Sequence, residues 1–291
     1  MARSRGPRPR RRWAATAVVV ASGLAASCGH TVNYLDPAGP VYRFRTEARE
    51  APAPAAPFRV VSFNIEYSRK IGPALEALRT SPQLRDPDLL SLQEMDAPGV
   101  ERIARELGMN AVYFPSGVHP TPKHDFGCAL LSPWPLEDDS KLLLPHAAFG
   151  TRLRRATVAA TVVRGGLRVR AFCVDLPSPM AVTGGSRREQ AQTIIKDADR
   201  AIAAGLPVVV AGDFNSHGIG EQFTRAGYAW PTRDLGPTVR WTLFNLHYDH
   251  VFARGLLPVT GQASAGVADN HEASDHHPIW VLLAPPATAQ P

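Results

Sequence analysis

The stretch that decides the fold is PVVVAGDFNS, residues 207–216. Three valines and an alanine in a row are typical of a strand buried on both faces, although this run alone does not exclude a helix. Gly212 ends the run, and Asp213 and Asn215 follow it. The carboxyl end of a buried strand is a common place for ligand chemistry in α/β proteins, but Asp and Asn are also ordinary turn residues. The stretch predicts a central strand that ends in either a functional site or a turn.

Strand and helix patterns alternate on both sides of this stretch. Strands are predicted at 58–65, 88–94, 111–116, 127–132, 154–163, 167–176, 207–213, 248–255 and 277–284. Helices are predicted within 71–82, 98–108, 186–205 and 219–227. The RGG turn at 164–166 predicts a hairpin between two of the strands. The alternation predicts one α/β domain over residues 58–284.

Polar residues lie at the ends of several predicted strands, and together they form an ordered set of motifs. The motifs are SFN (62–64), LQE (92–94), GDFN (212–215), YDHVF (248–252) and SDHHP (274–278). In this order they resemble the endonuclease/exonuclease/phosphatase superfamily. The resemblance covers residues 58–284 and implies an α/β fold, a four-layer sandwich of two mixed β-sheets flanked by helices. It also implies hydrolysis of phosphoester bonds with a divalent metal ion.

The resemblance assigns three residues to the metal side of the site. It implies that Glu94 binds the metal, that Asn64 contacts metal or phosphate, and that Asp275 lies near the metal. Mg²⁺ is the expected ion, with Mn²⁺ or Ca²⁺ as alternatives. A hard cation of this kind takes few protein carboxylates and keeps several waters, which a single glutamate suits.

The resemblance assigns four residues to the reaction itself. Asp213 would orient and deprotonate the attacking water, and Asn215 would hold a phosphoryl oxygen. His276 would donate to the phosphate, and Asp249 would pair with this histidine and increase its basicity. The division is chemically sensible, because a base is needed near the water and donors are needed near the anion.

The chain departs from the superfamily pattern at two positions. Where many members have a histidine in a segment resembling THL, this chain reads VDL, with Asp175. An ionised aspartate there would repel phosphate, so three alternatives remain: Asp175 binds a second metal, it is held protonated as an acid, or activity is reduced or lost. Cys128 replaces an amide in the GNA segment of the pattern. Cys128 and Cys173 lie in apolar runs and are expected to be buried free thiols rather than a disulfide.

The N-terminus predicts export. Six of the 32 Lys and Arg residues lie within the first 12 positions, and the other 26 balance 26 acidic residues, so the charge of +6 belongs to this segment. Residues 1–27 resemble a signal peptide, and LAASC (24–28) resembles a lipobox that would lead to acylation of Cys28. Residues 28–57 are expected to form a Pro/Ala-rich tether and 285–291 a disordered tail. The expected location is extracytoplasmic and lipid-anchored to a bacterial membrane, with secretion as the alternative.

The functional prediction is a metal-dependent phosphoesterase, most simply a phosphodiesterase or nuclease. The substrate would be a phosphodiester in a nucleic acid or a phospholipid head group, and no obligate protein partner is implied. One alternative is a phospholipid or phosphosugar phosphodiesterase of the sphingomyelinase type. The other is a surface-tethered binding protein that has the fold without the chemistry.

Overall fold

A computed structural model describes residues 31–47, 56–241 and 244–284 of the 291-residue chain. The predicted signal peptide, Cys28 and the predicted C-terminal tail lie outside the described residues. Within the described ranges, no helix has the length and apolar character needed to cross a membrane.

The described chain forms sixteen strands and four α-helices. The strands are β1 Val32–Asn33, β2 Tyr42–Phe44, β3 Phe58–Asn64, β4 Leu89–Met95, β5 Asn110–Val118, β6 Asp125–Ser132, β7 Leu136–Ala147, β8 Arg154–Arg164, β9 Leu167–Asp175, β10 Val208–Asp213, β11 Val239–Trp241, β12 Phe244–Leu246, β13 Asp249–Arg254, β14 Leu257–Pro258, β15 Ala265–Val267 and β16 Ile279–Ala284. The helices are α1 Ile71–Thr80, α2 Ala97–Leu107, α3 Gly184–Ala203 and α4 Gly220–Arg225. Each helix lies within a segment where the sequence predicts one or begins at most two residues before it.

Two mixed sheets form the centre of the molecule. The larger has the order β1-β5-β6-β4-β3-β16-β14, with β2 beside β5 and β15 beside β16. The smaller has the order β13-β10-β9-β8-β7. The pairs β3–β4 and β9–β10 are parallel, and the other pairs in these two sheets are antiparallel. A separate pair, β11–β12, follows α4.

Three apolar clusters define four layers. One cluster fills the space between the two sheets and includes Val158, Cys173 and Ala211. A second lies between the larger sheet and helices α1 and α2, and a third between the smaller sheet and helix α3. Each sheet is therefore apolar on both faces, which explains the continuous apolar run in β10 and the burial of the first five residues of β4. The predicted sandwich of two mixed sheets flanked by helices is confirmed.

Two regions differ from the expectation. Residues 31–47, assigned to the tether, contribute β1 and β2, which pair with β5. Lys141 holds this segment through its Nζ, which donates to the carbonyls of Tyr34 at 3.0 Å and Gly39 at 2.5 Å. β7 is an edge strand with several exposed polar residues, so the sequence pattern does not predict it. β1, β2 and β7 each pair with one neighbouring strand only, so their sequences show little of the apolar periodicity of a buried strand.

Candidate active site

Three aspartates lie side by side at one edge of the smaller sheet, where β9 and β10 end and β13 begins. Asp213 at the end of β10 is in register with Asp175 of β9 and with Asp249 of β13. Gly212 permits this close pairing, because its φ is +152° and a Cβ there would lie 1.9 Å from the carbonyl oxygen of Val174. All three aspartates are buried. The sheet therefore places the predicted residues of three separate motifs in one row.

Asp213 is surrounded by hydrogen-bond donors. Its Oδ1 accepts the backbone N–H of Asn215 at 2.8 Å, and its Oδ2 accepts the amide groups of Asn215 at 2.9 Å and Asn64 at 3.3 Å. Burial raises the pKa of Asp213 well above its ordinary value, His276 opposes the rise, and Asp249 adds to it. A carboxylate with a raised pKa in a fixed orientation suits a general base.

His276 lies between two of the aspartates. Its Nδ1 is 2.9 Å from Asp249 Oδ2, and its Nε2 is 3.7 Å from Asp213 Oδ2. Although burial disfavours the charged imidazole, Asp249 and Asp213 raise the pKa of His276 well above its ordinary value. Its Nδ1 is therefore placed to donate to Asp249, as in the predicted pairing. Asp213, Asp249 and His276 also form a group of ligand atoms that could hold a metal ion.

Glu94 has a different environment, which suits a cation. It lies within an irregularity in the pairing of β4 with β6, between Leu92 and Met95, and its φ is +58°, which is rare for a residue other than glycine and asparagine. Among the described residues, none donates a hydrogen bond to its carboxylate. Burial and then Asp175 raise the pKa of Glu94 to about 7. A half-buried carboxylate that accepts no hydrogen bond from the described residues, with Asp275 lining the same cavity, presents the hard oxygen atoms that Mg²⁺ prefers.

The two asparagines are occupied by partners within the protein. Asn64 accepts the backbone N–H of Glu66 at 3.1 Å and donates to Asp213. Asn215, with a left-handed φ of 49°, donates its amide hydrogens to Leu176 O at 2.8 Å and to Asp213. Both residues thus orient the base, and their predicted contacts with metal or phosphoryl oxygen stay predictions.

Asp175 forms an ion pair that the sequence analysis did not predict. Its Oδ2 accepts a hydrogen bond from Arg155 Nη1 at 2.7 Å. Burial raises the pKa of Asp175, and Arg155 lowers it. Burial lowers the pKa of Arg155, but the carboxylates of Asp175 and Glu94 raise it by more, so the net shift of the pKa is upward. The carboxylate that would repel phosphate therefore has a fixed cation beside it.

A cavity of about 530 Å³ joins these groups. The residues that line it from the predicted set are Glu94, Asp213, Asn215, Asp275 and His276. The sequence analysis assigned no role to four further charged or aromatic residues of its wall: Tyr67, His119, Arg155 and Tyr248. Tyr67 and Tyr248 have a signal in the sequence, because Tyr67 follows the SFN motif closely and Tyr248 is the first residue of the YDHVF motif. His119 and Arg155 lie in no motif. Cys128 and Cys173 are buried free thiols, as predicted.

Comparison with known proteins identifies the family. The model of the endonuclease/exonuclease/phosphatase family matches residues 61–276, and the chain belongs to this family. Its members are generally divalent-metal-dependent phosphoesterases. No curated protein matches the sequence of the chain.

Solved structures agree with this fold. An endonuclease/exonuclease/phosphatase from Bacteroides vulgatus is similar at a TM-score of 0.63 and 15% identity, over 79% of this chain and 99% of that one. An endonuclease/exonuclease/phosphatase from Beutenbergia cavernae is similar at 0.61 and 20%, over 79% of this chain and 72% of that one. D. rerio TDP2 complexed with a single-strand DNA product is similar at 0.58 and 13%, over 78% and 98%. At these identities the likeness shows the fold alone.

Proposed function

We propose that this protein is a divalent-metal-dependent phosphodiesterase. The observation that carries the proposal is the convergence of Glu94, Asp213 and His276, from three distant motifs, on one cavity. Their environments differ in the way that hydrolysis requires. Asp213 is a carboxylate held by three hydrogen bonds and has a raised pKa, His276 also has a raised pKa beside two aspartates, and Glu94 accepts no hydrogen bond from the described residues.

Each residue of the site has a separate role in the proposed hydrolysis. Asp213 orients the attacking water and accepts its proton, while Asn64 and Asn215 keep the carboxylate in place. His276 donates from Nε2 to a phosphoryl oxygen, and Asp249 holds the opposite edge of the ring. Glu94, with Asp275 beside it, would hold the metal ion. When bound, such an ion neutralises charge on the phosphoryl group as it builds up during displacement.

A nucleic acid is the first candidate substrate. The related D. rerio TDP2 was solved with a single-strand DNA product, and the balanced charge of residues 28–291 favours a single strand or a small diester over duplex DNA, whose binding depends on many cationic contacts.

A phospholipid head group is the second candidate, because of the cavity rim. Phe149 and Met180 are 63% and 78% exposed, and Met180 lines the cavity. The N–H of Phe149 donates to Ala181 O at 2.6 Å, which brings the two loops together. Two exposed apolar side chains at a cavity mouth suit a substrate in a lipid surface.

The experiment compares these substrates directly. The purified protein is incubated with Mg²⁺, Mn²⁺ or Ca²⁺ and with single-stranded DNA, RNA, sphingomyelin vesicles or bis(4-nitrophenyl) phosphate, with EDTA as the metal-free control. We expect turnover that EDTA abolishes and that Asp213→Asn lowers by about 10³-fold, because the general base is lost. Asp139→Asn, which removes a carboxylate remote from the cavity, is the matched control and keeps normal turnover. If no substrate is turned over with any of these ions, the non-catalytic binding protein becomes the better hypothesis.

We also propose that the protein acts at a membrane surface through an acylated Cys28. The LAASC segment and the basic, acid-free stretch before it support this proposal.

A further inference from the structure

Arg155 and Asp175 form a charge-neutral pair at the wall of the cavity. We infer that this pair makes the site select phosphate groups with one negative charge over those with two, so that diesters are preferred to monoesters. The inference rests on the proposed function and defines its substrate class. In this account Arg155 contacts the phosphate, and Asp175 is a positioning residue that acts through it.

The geometry fixes the arginine from two sides. Arg155 Nη1 lies 2.7 Å from Asp175 Oδ2, and its guanidinium carbon lies 4.3 Å from the ring centroid of Phe126. The side chains of Arg155 and Asp175 are only 12% and 2% exposed. An arginine held by a carboxylate and an aromatic face has little freedom to move toward a ligand of a different shape or charge.

Arg155 keeps unused donors for a ligand. In the described parts of the chain, Nη1 makes the hydrogen bond to Asp175, and Nε and Nη2 make none. Arg155 lines the same cavity as Asp213 and His276. A phosphoryl oxygen held by these donors would lie in the cavity that the proposed base and His276 also line.

Asp175 itself is not placed to react. Its Oδ2 is occupied by Arg155, and its Oδ1 is buried without a hydrogen-bond partner among the described residues. Asp175 is absent from the residues that line the cavity in the described structure. Of the three alternatives left by the sequence, a protonated acid or a second metal ligand fits this placement less well than a carboxylate that fixes an arginine.

The pair changes how the site responds to ligand charge. An unpaired cation attracts a dianion more strongly than a monoanion, in proportion to charge. A cation with a carboxylate 2.7 Å away acts mainly as a dipole, which offers directed donors but little net attraction. Phosphodiesters carry one negative charge, whereas monoesters carry nearly two above their second pKa of about 6. With Glu94, Asp213 and Asp275 also lining the cavity, the second charge of a monoester meets repulsion.

The test measures anion binding to the metal-free protein at pH 8. Dimethyl phosphate is the monoanion and methyl phosphate the dianion, and ³¹P NMR titration gives both dissociation constants. Asp175→Asn keeps the shape and an acceptor for Arg155 but removes the charge. We expect it to shift the preference toward methyl phosphate by at least about tenfold. Asp139→Asn, which breaks the exposed Arg43–Asp139 pair of the same 2.7 Å length, is the matched control and shifts it less than twofold.

A second variant covers the case in which Asp175→Asn does not fold. Arg155→Gln removes the donors, and we expect it to weaken the binding of dimethyl phosphate by at least about tenfold. Unchanged binding in Arg155→Gln, or an unchanged preference in a folded Asp175→Asn, overturns the inference. A shifted preference in a protein that hydrolyses neither diesters nor monoesters would overturn the proposed function instead and leave the pair as an anion selector.

Discussion

The carboxylate of Glu94 couples the candidate metal site to the stability of the fold. Its pKa of about 7 in the folded protein lies above its ordinary value of 4.5. The folded state therefore binds a proton more tightly than the unfolded state, and the free energy of unfolding decreases as pH rises from about 4.5 to about 7. We expect a divalent metal ion bound at Glu94, as proposed, to remove this loss, because it would stabilise the ionised carboxylate in the folded state alone.

Thermal unfolding in EDTA at several pH values checks this prediction. We expect the Tm of the metal-free protein to fall between pH 5 and pH 8, and added Mg²⁺ to reverse most of the fall. Glu94→Gln should flatten the pH dependence and abolish the Mg²⁺ effect. Glu137→Gln, at a carboxylate on the edge strand β7, should do neither. If Mg²⁺ still raises the Tm of Glu94→Gln, the ion binds at a site other than Glu94.

The sequence predicted the site residues that belong to motifs and missed those that do not. Glu94, Asp213 and His276 were predicted because each lies in a short motif at a strand end, and they line one cavity as expected. Arg155 lies in no motif. The ladder between β8 and β9 ends at Val158 and Cys173, so strand alternation does not determine where the Arg155 side chain points. Its pairing with Asp175 is set by tertiary structure and leaves no local pattern in the sequence.

At the scale of elements, the approach of β9 to β10 depends on Gly212. Gly212→Ala would place a Cβ 1.9 Å from Val174 O at a φ of +152°, so β10 would have to move away from β9. We expect a loss of about 3 kcal/mol in unfolding free energy and a larger relative loss of activity, because Asp213 moves with the backbone. Urea denaturation and turnover measure the two effects.

Gly166 in the β8–β9 turn provides the control for this prediction. A Cβ at Gly166 meets no atom within 4 Å, and its φ does not require glycine. Gly166→Ala should therefore leave the urea midpoint and turnover close to normal. Equal effects of the two substitutions would show that the spacing of β9 and β10 does not depend on Gly212.

Elements that are buried on both faces were predictable, and edge elements were not. β10 contains an unbroken apolar run, and the first five residues of β4 are buried, because helices cover the outer face of each sheet and the other sheet covers the inner face. The hairpin of β8 and β9 followed from its turn, and Arg164 pairs with Leu167 as that turn requires. β1 and β2 are two and three residues long and are held by contacts with β5. Contacts of this kind are set by tertiary structure and leave no local pattern.

For the whole molecule, the proposed membrane location makes a specific prediction. Metabolic labelling with a fatty acid should label the protein expressed in a bacterium, and Cys28→Ala should abolish the label, because the chain would then lack the acylated thiol. The other two cysteines are buried, so Cys173→Ala is the matched control and keeps the label. Persistent labelling of Cys28→Ala would contradict the proposal.

The N-terminal segment would also determine how an anchored enzyme faces its membrane. Thr31 donates its hydroxyl to Thr151 O, and Asn33 Nδ2 donates to Arg152 O at 3.1 Å. Thr151 lines the cavity, so the chain enters the described fold beside the cavity mouth. Three residues beyond Cys28 span at most about 10 Å. An acyl chain on Cys28 would therefore hold the cavity mouth, with Phe149 and Met180, close to the bilayer and facing it. The enzyme would then search for its substrate by lateral diffusion in the plane of the membrane.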